Sequence, residues 1–133
     1  MLDYTINNDG GSFTVYIYDD FVIKVPKNEK VNGEKQLQHI ADIQTEISKH
    51  VEGVFPCYRI GKKLFTQRAP GERVDGIWKE DKQFYRKLFA EKKQEIIDKT
   101  GYTLKDSGKA NMFYDRESGQ LYLVDFHLIA EEQ

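Results

Sequence analysis

The residues best suited to chemistry in this 133-residue chain are one cation, two carboxylates and one amide. Lys24 stands inside Val22-Ile23-Lys24-Val25, where a strand would tether a long cation among apolar neighbours. Asp106 and Asn111 frame Ser107-Gly108-Lys109-Ala110, and Asp125 follows the apolar run Leu121-Tyr122-Leu123-Val124. Phosphoryl transfer asks little covalent help of a protein. It asks for charges that orient the nucleotide phosphates, oxygens that hold Mg2+, and a carboxylate near the acceptor hydroxyl. These four side chains are of the types that supply all three.

The elements that must position them are legible as a sequence of strands and helices. Phe13 to Val25 reads as two β-branched and aromatic runs split by Asp19-Asp20, which predicts a hairpin with Lys24 on its second strand. The charged stretch 27–35, with Asn28, Asn32 and Gly33, ends that pattern. Leu37, Ile40, Ala41, Gln44, Ile47 and Val51 then recur at three- and four-residue intervals, the spacing of a helix with one buried stripe. After Gly53 and Pro56, CYRI and LFTQR flank Gly61-Lys62-Lys63 as a second hairpin. Ala69-Pro70-Gly71-Glu72 reads as a connector between two halves of the fold. A second helix is predicted over 79–99, with Gly101 beyond its end, and a third hairpin over 112–114 and 121–124. No internal repeat or low-complexity tract interrupts this order.

In this order and on these elements, the chain resembles the protein kinase-like superfamily, which includes small bacterial and phage kinase-like proteins and the antibiotic phosphotransferases. The likeness spans roughly Asp9 to Phe126. Val22-Ile23-Lys24 is similar to the strand that carries the phosphate-binding lysine. Asp106 to Asn111 keeps the family's catalytic-loop spacing of four residues between Asp and Asn, and Asp125-Phe126-His127 is similar to Asp-Phe-Gly. Thr66-Gln67-Arg68-Ala69-Pro70-Gly71 looks like the hinge that lines an adenine pocket.

The resemblance implies an α+β, minimal kinase-like fold. An antiparallel N-lobe sheet with one helix would occupy 1–68, and a reduced C-lobe 69–133. It implies ATP and Mg2+ as cofactors, Lys24 on the phosphates, Asp106 as catalytic base or hydroxyl-orienting group, and Asn111 and Asp125 as Mg2+ ligands. Backbone groups of Gln67, Arg68 and Ala69 would pair with the base, and those of Gly10, Gly11 and Ser12 would approach a phosphate. A glutamate from the first helix should partner Lys24. Glu34 falls on the flank of the apolar stripe and Glu46 almost opposite it, so Glu34 is the expected partner.

Several departures accompany the match. The glycine-rich loop is reduced to Asp9-Gly10-Gly11-Ser12-Phe13, Leu104-Lys105 stand where His-Arg is usual, and His127 replaces a glycine. Six residues follow His127, so no activation segment or peptide-binding helices are expected.

Composition narrows the partners. Twenty Lys and Arg against 22 Asp and Glu leave a net charge of -2, which argues against a general binder of nucleic acid or acidic membrane. The length points to one domain, and 39% hydrophobic residues with 8 Tyr and 8 Phe supply a core. One cysteine, Cys57, forbids an intrachain disulfide, and the start Met1-Leu2-Asp3-Tyr4 lacks a secretory pattern, so a cytoplasmic protein is expected. No apolar run approaches membrane-spanning length, and His39, His50 and His127 lack zinc-site spacing.

Each residue also has a plainer reading. Lys24 would be an edge-strand or snorkelling lysine, Asp106 and Asn111 turn residues, Asp125 a cap, and Glu34 a first-turn carboxylate. The joint order and spacing favour the chemical reading. Two functions follow: a phosphotransferase acting on a protein Ser/Thr hydroxyl or on itself, or a weakly active or inactive kinase-like module that binds a partner protein. Trp78, Phe84 and Tyr85 are the aromatic contact candidates for the second. A homodimer is compatible with the small size and the apolar surface a half-built second lobe would leave.

Overall fold

A computed structural model of the chain describes residues 4–7, 13–27, 33–104, 109–124 and 129–131. The fold is mixed α+β, with a five-stranded antiparallel sheet and three helices among these residues. The chain divides into two compact units, Met1–Thr45 with Phe55–Arg68 and Glu46–Val54 with Ala69–Gln133.

The first unit is built on the sheet. Its strands are β1 (Thr5–Asn7), β2 (Phe13–Ile17) and β3 (Phe21–Pro26), then, after helix α1 (Glu34–Ser48), β4 (Cys57–Ile60) and β5 (Lys63–Gln67). Their order across the sheet is β1-β2-β3-β5-β4, so β3 is the central strand. The Asp19-Asp20 turn closes the first hairpin, with the Tyr18 N–H donating to the Phe21 carbonyl at 2.9 Å. Alternation along each strand separates two faces. Val15, Lys24 and Leu64 are cross-strand neighbours on one face, and Tyr16, Ile23 and Phe65 on the other.

Helix α1 lies on the first of these faces. Leu37, Ile40 and Ala41 from the helix pack with Phe13, Cys57 and Leu64 from the strands into one core, with Val15 against it. Burying each Leu- or Ile-sized side chain contributes roughly 1.5–3 kcal/mol, so this stripe is what holds helix to sheet. Thr45 adds a polar clasp: its hydroxyl donates to the Cys57 carbonyl at 2.9 Å and accepts from the Cys57 N–H at 3.0 Å.

The second unit uses shorter pieces. It contains β6 (Glu72–Arg73), α2 (Val74–Ile77), a 3-10 turn (Trp78–Glu80), α3 (Lys82–Thr100), β7 (Tyr102–Leu104), a second 3-10 turn (Lys109–Asn111), β8 (Met112–Asp115), β9 (Gln120–Leu123) and β10 (Ile129–Glu131). These strands make two small sheets, β6-β8-β9 and β10-β7. Helix α3 starts at Lys82, later than the spacing alone predicts, because Asp81 caps it: its carboxylate accepts from the Phe84 N–H at 3.1 Å. It ends at Gly101, whose φ of 79° takes the left-handed conformation that closes a helix. No helix among the described residues is long and apolar enough to cross a membrane.

Two expectations, the plainer one for Lys24 and the contact role of Tyr85, are corrected. Lys24 is not an edge-strand lysine, since β3 has neighbours on both sides. Tyr85 is not an exposed contact residue but is buried, ringed by Trp78, Phe84 and Tyr114, whereas Phe84 remains exposed.

Candidate functional site

In the first unit the candidate site begins with Lys24, 9% exposed on the central strand and on the face that α1 covers. A lysine this deeply buried keeps its ammonium where its charge is met by a partner. Cys57 lies within reach of its field. Burial pushes the Cys57 thiol up to about 11, and the positive charge of Lys24 pulls the other way.

The polar residue at the centre of the buried stripe of α1 is Gln44. Its amide donates to the Phe55 carbonyl at 2.9 Å and to the Thr66 hydroxyl at 3.4 Å, while that hydroxyl donates to the Pro56 carbonyl at 3.1 Å. Glu34, by contrast, begins the helix at an exposed position, with one carboxylate oxygen 4.0 Å from Arg59. Arg59 itself donates to Gln38 at 2.7 Å and to the Gly61 carbonyl at 2.8 Å. The end of β5 is similarly engaged. The Arg68 N–H donates to the Asp20 carbonyl at 3.0 Å and its guanidinium to the Tyr18 carbonyl at 3.2 Å, so this backbone donor is occupied within the sheet. Gln67 is exposed and Ala69 buried. Gly10, Gly11 and Ser12 lie outside the described residues.

In the second unit, Asn111 closes the 3-10 turn that leads into β8. Its carbonyl accepts from the Val124 N–H at 3.1 Å. This bond, with the pairing of Met112 to Leu123, holds Asn111 beside the residue that immediately precedes Asp125 in sequence. Asp106 and Asp125 themselves lie outside the described residues. The strand that leads to Asp125 is secured from another side by Gly53. The Gly53 carbonyl accepts from the Leu123 N–H at 2.9 Å, and its φ of 90° brings its Cα so close to the Leu121 carbonyl that no Cβ would fit. Three residues after Asp106 in sequence, the Lys109 ammonium sits 4.7 Å from the centre of the Trp78 ring, a cation–π contact.

No family model matches the chain, and no curated protein does. Among solved structures, the complex of Rv3197 with erythromycin from Mycobacterium tuberculosis is similar, with a TM-score of 0.71 at 13% identity. The match covers 96% of this chain and 46% of that one, so the chain spans about half the length of the structure it resembles. At that identity the likeness is one of fold.

Glu46, the alternative glutamate, is taken up locally. It bonds Lys49 and His50, each at 3.3 Å, and the Lys49 bond draws its carboxyl below the usual range. Sequence reasoning passed over Gln44 as one member of the stripe and over Gly53 as punctuation. Gln44 carried a signal, being the polar member of an otherwise apolar set; Gly53 carried none, because its partner strand lies some seventy residues away in sequence. Among the described residues no cluster of three or more His, Cys, Asp or Glu side chains could hold a metal ion.

Proposed function

We propose that the chain is an ATP- and Mg2+-dependent phosphotransferase of protein kinase type, acting on a protein Ser/Thr hydroxyl or on itself. The observation that carries this reading is Lys24, a buried lysine in the middle of the central strand, where a rigid backbone fixes the one charge that must meet phosphate. The bond from Val124 to Asn111 supports it, because it holds one oxygen-bearing side chain next to the start of the segment that bears the other.

In this reading the fold is a minimal kinase-like one. Lys24 neutralises nucleotide phosphates, with Glu34 as its expected helix partner. Asp106 orients the acceptor hydroxyl and receives its proton. Backbone groups of Gln67 and Ala69, and the carbonyl of Arg68, face the base, while Gly10, Gly11 and Ser12 approach a phosphate. Asn111 and Asp125 offer an amide and a carboxylate oxygen, the hard donors that Mg2+ takes. When bound, the ion offsets charge on the phosphate oxygens.

The test is incubation with Mg-ATP, alone and with candidate protein acceptors, read by intact mass and radiolabel. Labelling that falls by about 100-fold or more in Lys24→Met and Asp125→Ala is the expected result. Nucleotide binding without transfer replaces the enzyme with a kinase-like binding module, and no response to nucleotide removes both readings.

A further inference from the structure

Three elements of the second unit meet at the Trp78 ring. Trp78 opens the 3-10 turn before α3, Arg86 lies early in α3, and Lys109 opens the turn that ends at Asn111. The Arg86 guanidinium carbon stands 5.6 Å and the Lys109 ammonium 4.7 Å from the ring centre. Both are cation–π distances, so one half-buried ring holds two exposed cations. The ring is anchored in turn, stacked on the buried Tyr85 at 6.4 Å. What sets this pair apart is its want of a carboxylate. Arg59 pairs with Glu34, Arg73 with Asp75, and Arg116 with Glu72 and Glu80, whereas among the described residues neither Arg86 nor Lys109 makes an ion pair. The two acids nearest Trp78 in sequence are turned elsewhere. Glu80 meets Arg116 at 2.8 Å, and the Asp81 carboxylate accepts from the Phe84 N–H at the head of α3. Lys79, Lys82 and Lys87 are exposed and likewise make no ion pair among the described residues. A chain of net charge -2 thus gathers a local surplus of positive charge around its one tryptophan. Two cations drawn to one ring lie within about a Debye length of each other, repel, and gain from an anion placed between them.

We infer that Arg86 and Lys109, gathered on Trp78, form a subsite for an acidic side chain of the acceptor protein. The assignment to the acceptor rests on the phosphotransferase reading proposed above, in which Asp106, three residues before Lys109, orients the acceptor hydroxyl. The chemistry suits a peptide carboxylate. Arginine presents a planar fork that fits both oxygens of a carboxylate, and lysine adds a point charge that the same group can share. A pair this exposed takes a side chain offered by a protein rather than an enclosed small molecule. Glu80 and Asp81 break the run of cations that a nucleic-acid backbone would track.

The chain holds a single tryptophan, so emission from Trp78 reads occupancy of the subsite with or without nucleotide. The probes are three synthetic peptides, each with one serine followed by a run of Glu, of Gln or of Lys. The Glu peptide should shift the emission and bind about tenfold or more tightly than the Gln peptide, and the Lys peptide should give no response. Arg86→Gln and Lys109→Gln, both at exposed positions, should each weaken the Glu peptide by about threefold or more with unchanged urea midpoints. If Arg86→Gln fails to fold, Lys109→Gln carries the comparison. Equal binding of the Glu and Gln peptides, or wild-type affinity for the Glu peptide in both variants, would overturn the subsite. An oligonucleotide that binds more tightly than the Glu peptide, or displacement of that peptide by Mg-ATP, would overturn its assignment to the acceptor. Phosphate transfer is scored separately. A Glu peptide that binds through Arg86 and Lys109 yet takes no phosphate supports the subsite and removes the phosphotransferase reading, whereas transfer to all three peptides alike overturns the subsite and leaves that reading standing.

Discussion

Lys24 is carried by a strand with two neighbours on either side and is covered by a fifteen-residue helix, whereas Asn111 rests on a three-residue turn and on strands of two to four residues. The first arrangement derives its rigidity from a shared apolar core. The second adds to buried side chains such as Val74, Met112, Leu121 and Leu123 a set of individual backbone contacts, among them Gly53 on Leu123 and Asn111 on Val124. A side chain held by a core tolerates loss of one partner at a graded cost. One held by a close backbone approach does not, because the approach exists only for a residue without a Cβ.

Leu37→Ala removes a fully buried side chain from the core under the sheet and is expected to destabilise the protein by about 2–5 kcal/mol in urea unfolding. Gly53→Ala forces a Cβ against the Leu121 carbonyl at a positive φ, and a loss of about 2–3 kcal/mol is expected. If the two units differ as described, replacing Leu37 by the similar-volume Met should recover most of the first loss, whereas no side chain at position 53 should recover the second.

A smaller effect sharpens the electrostatic side. The Cys57 thiol titrates higher folded than unfolded, so its burial contributes stability that is fully present below about pH 9, the ordinary thiol value, and is lost as pH rises through about 11. Urea midpoints should fall across that window and fall less in Cys57→Ala. Smallest of all is the cap on α3: Asp81→Ala should cost about 1 kcal/mol, measured the same way.

Both hairpins of the first unit and the stripe of α1 repeat a period over five or more residues, and a period is a local signal. The β8–β9 hairpin was legible for the same reason, and the Gly101 cap from its residue type at the end of a helical pattern. Strands β6, β7 and β10 have two or three residues each, too few to show alternation, and β1 is flagged by nothing but its pairing with β2. Lys24 and Asn111 could be singled out by type and spacing. That Lys24 is buried rather than snorkelling depended on β5 pairing beside β3, a contact between strands about forty residues apart. Gln44 and Gly53 do their work through partners that no spacing rule connects.

Phosphotransfer as proposed requires that Lys24, Asn111 and Asp125 serve one nucleotide. Calorimetric titration of Mg-ATP into the wild type and into Lys24→Met, Asn111→Ala and Asp125→Ala addresses it most directly. The account predicts a single site in the wild type, with affinity lowered about tenfold or more by each substitution and Mg2+ dependence lost in the last two. Equal affinity in all four proteins, or no heat of binding in the wild type, would contradict it.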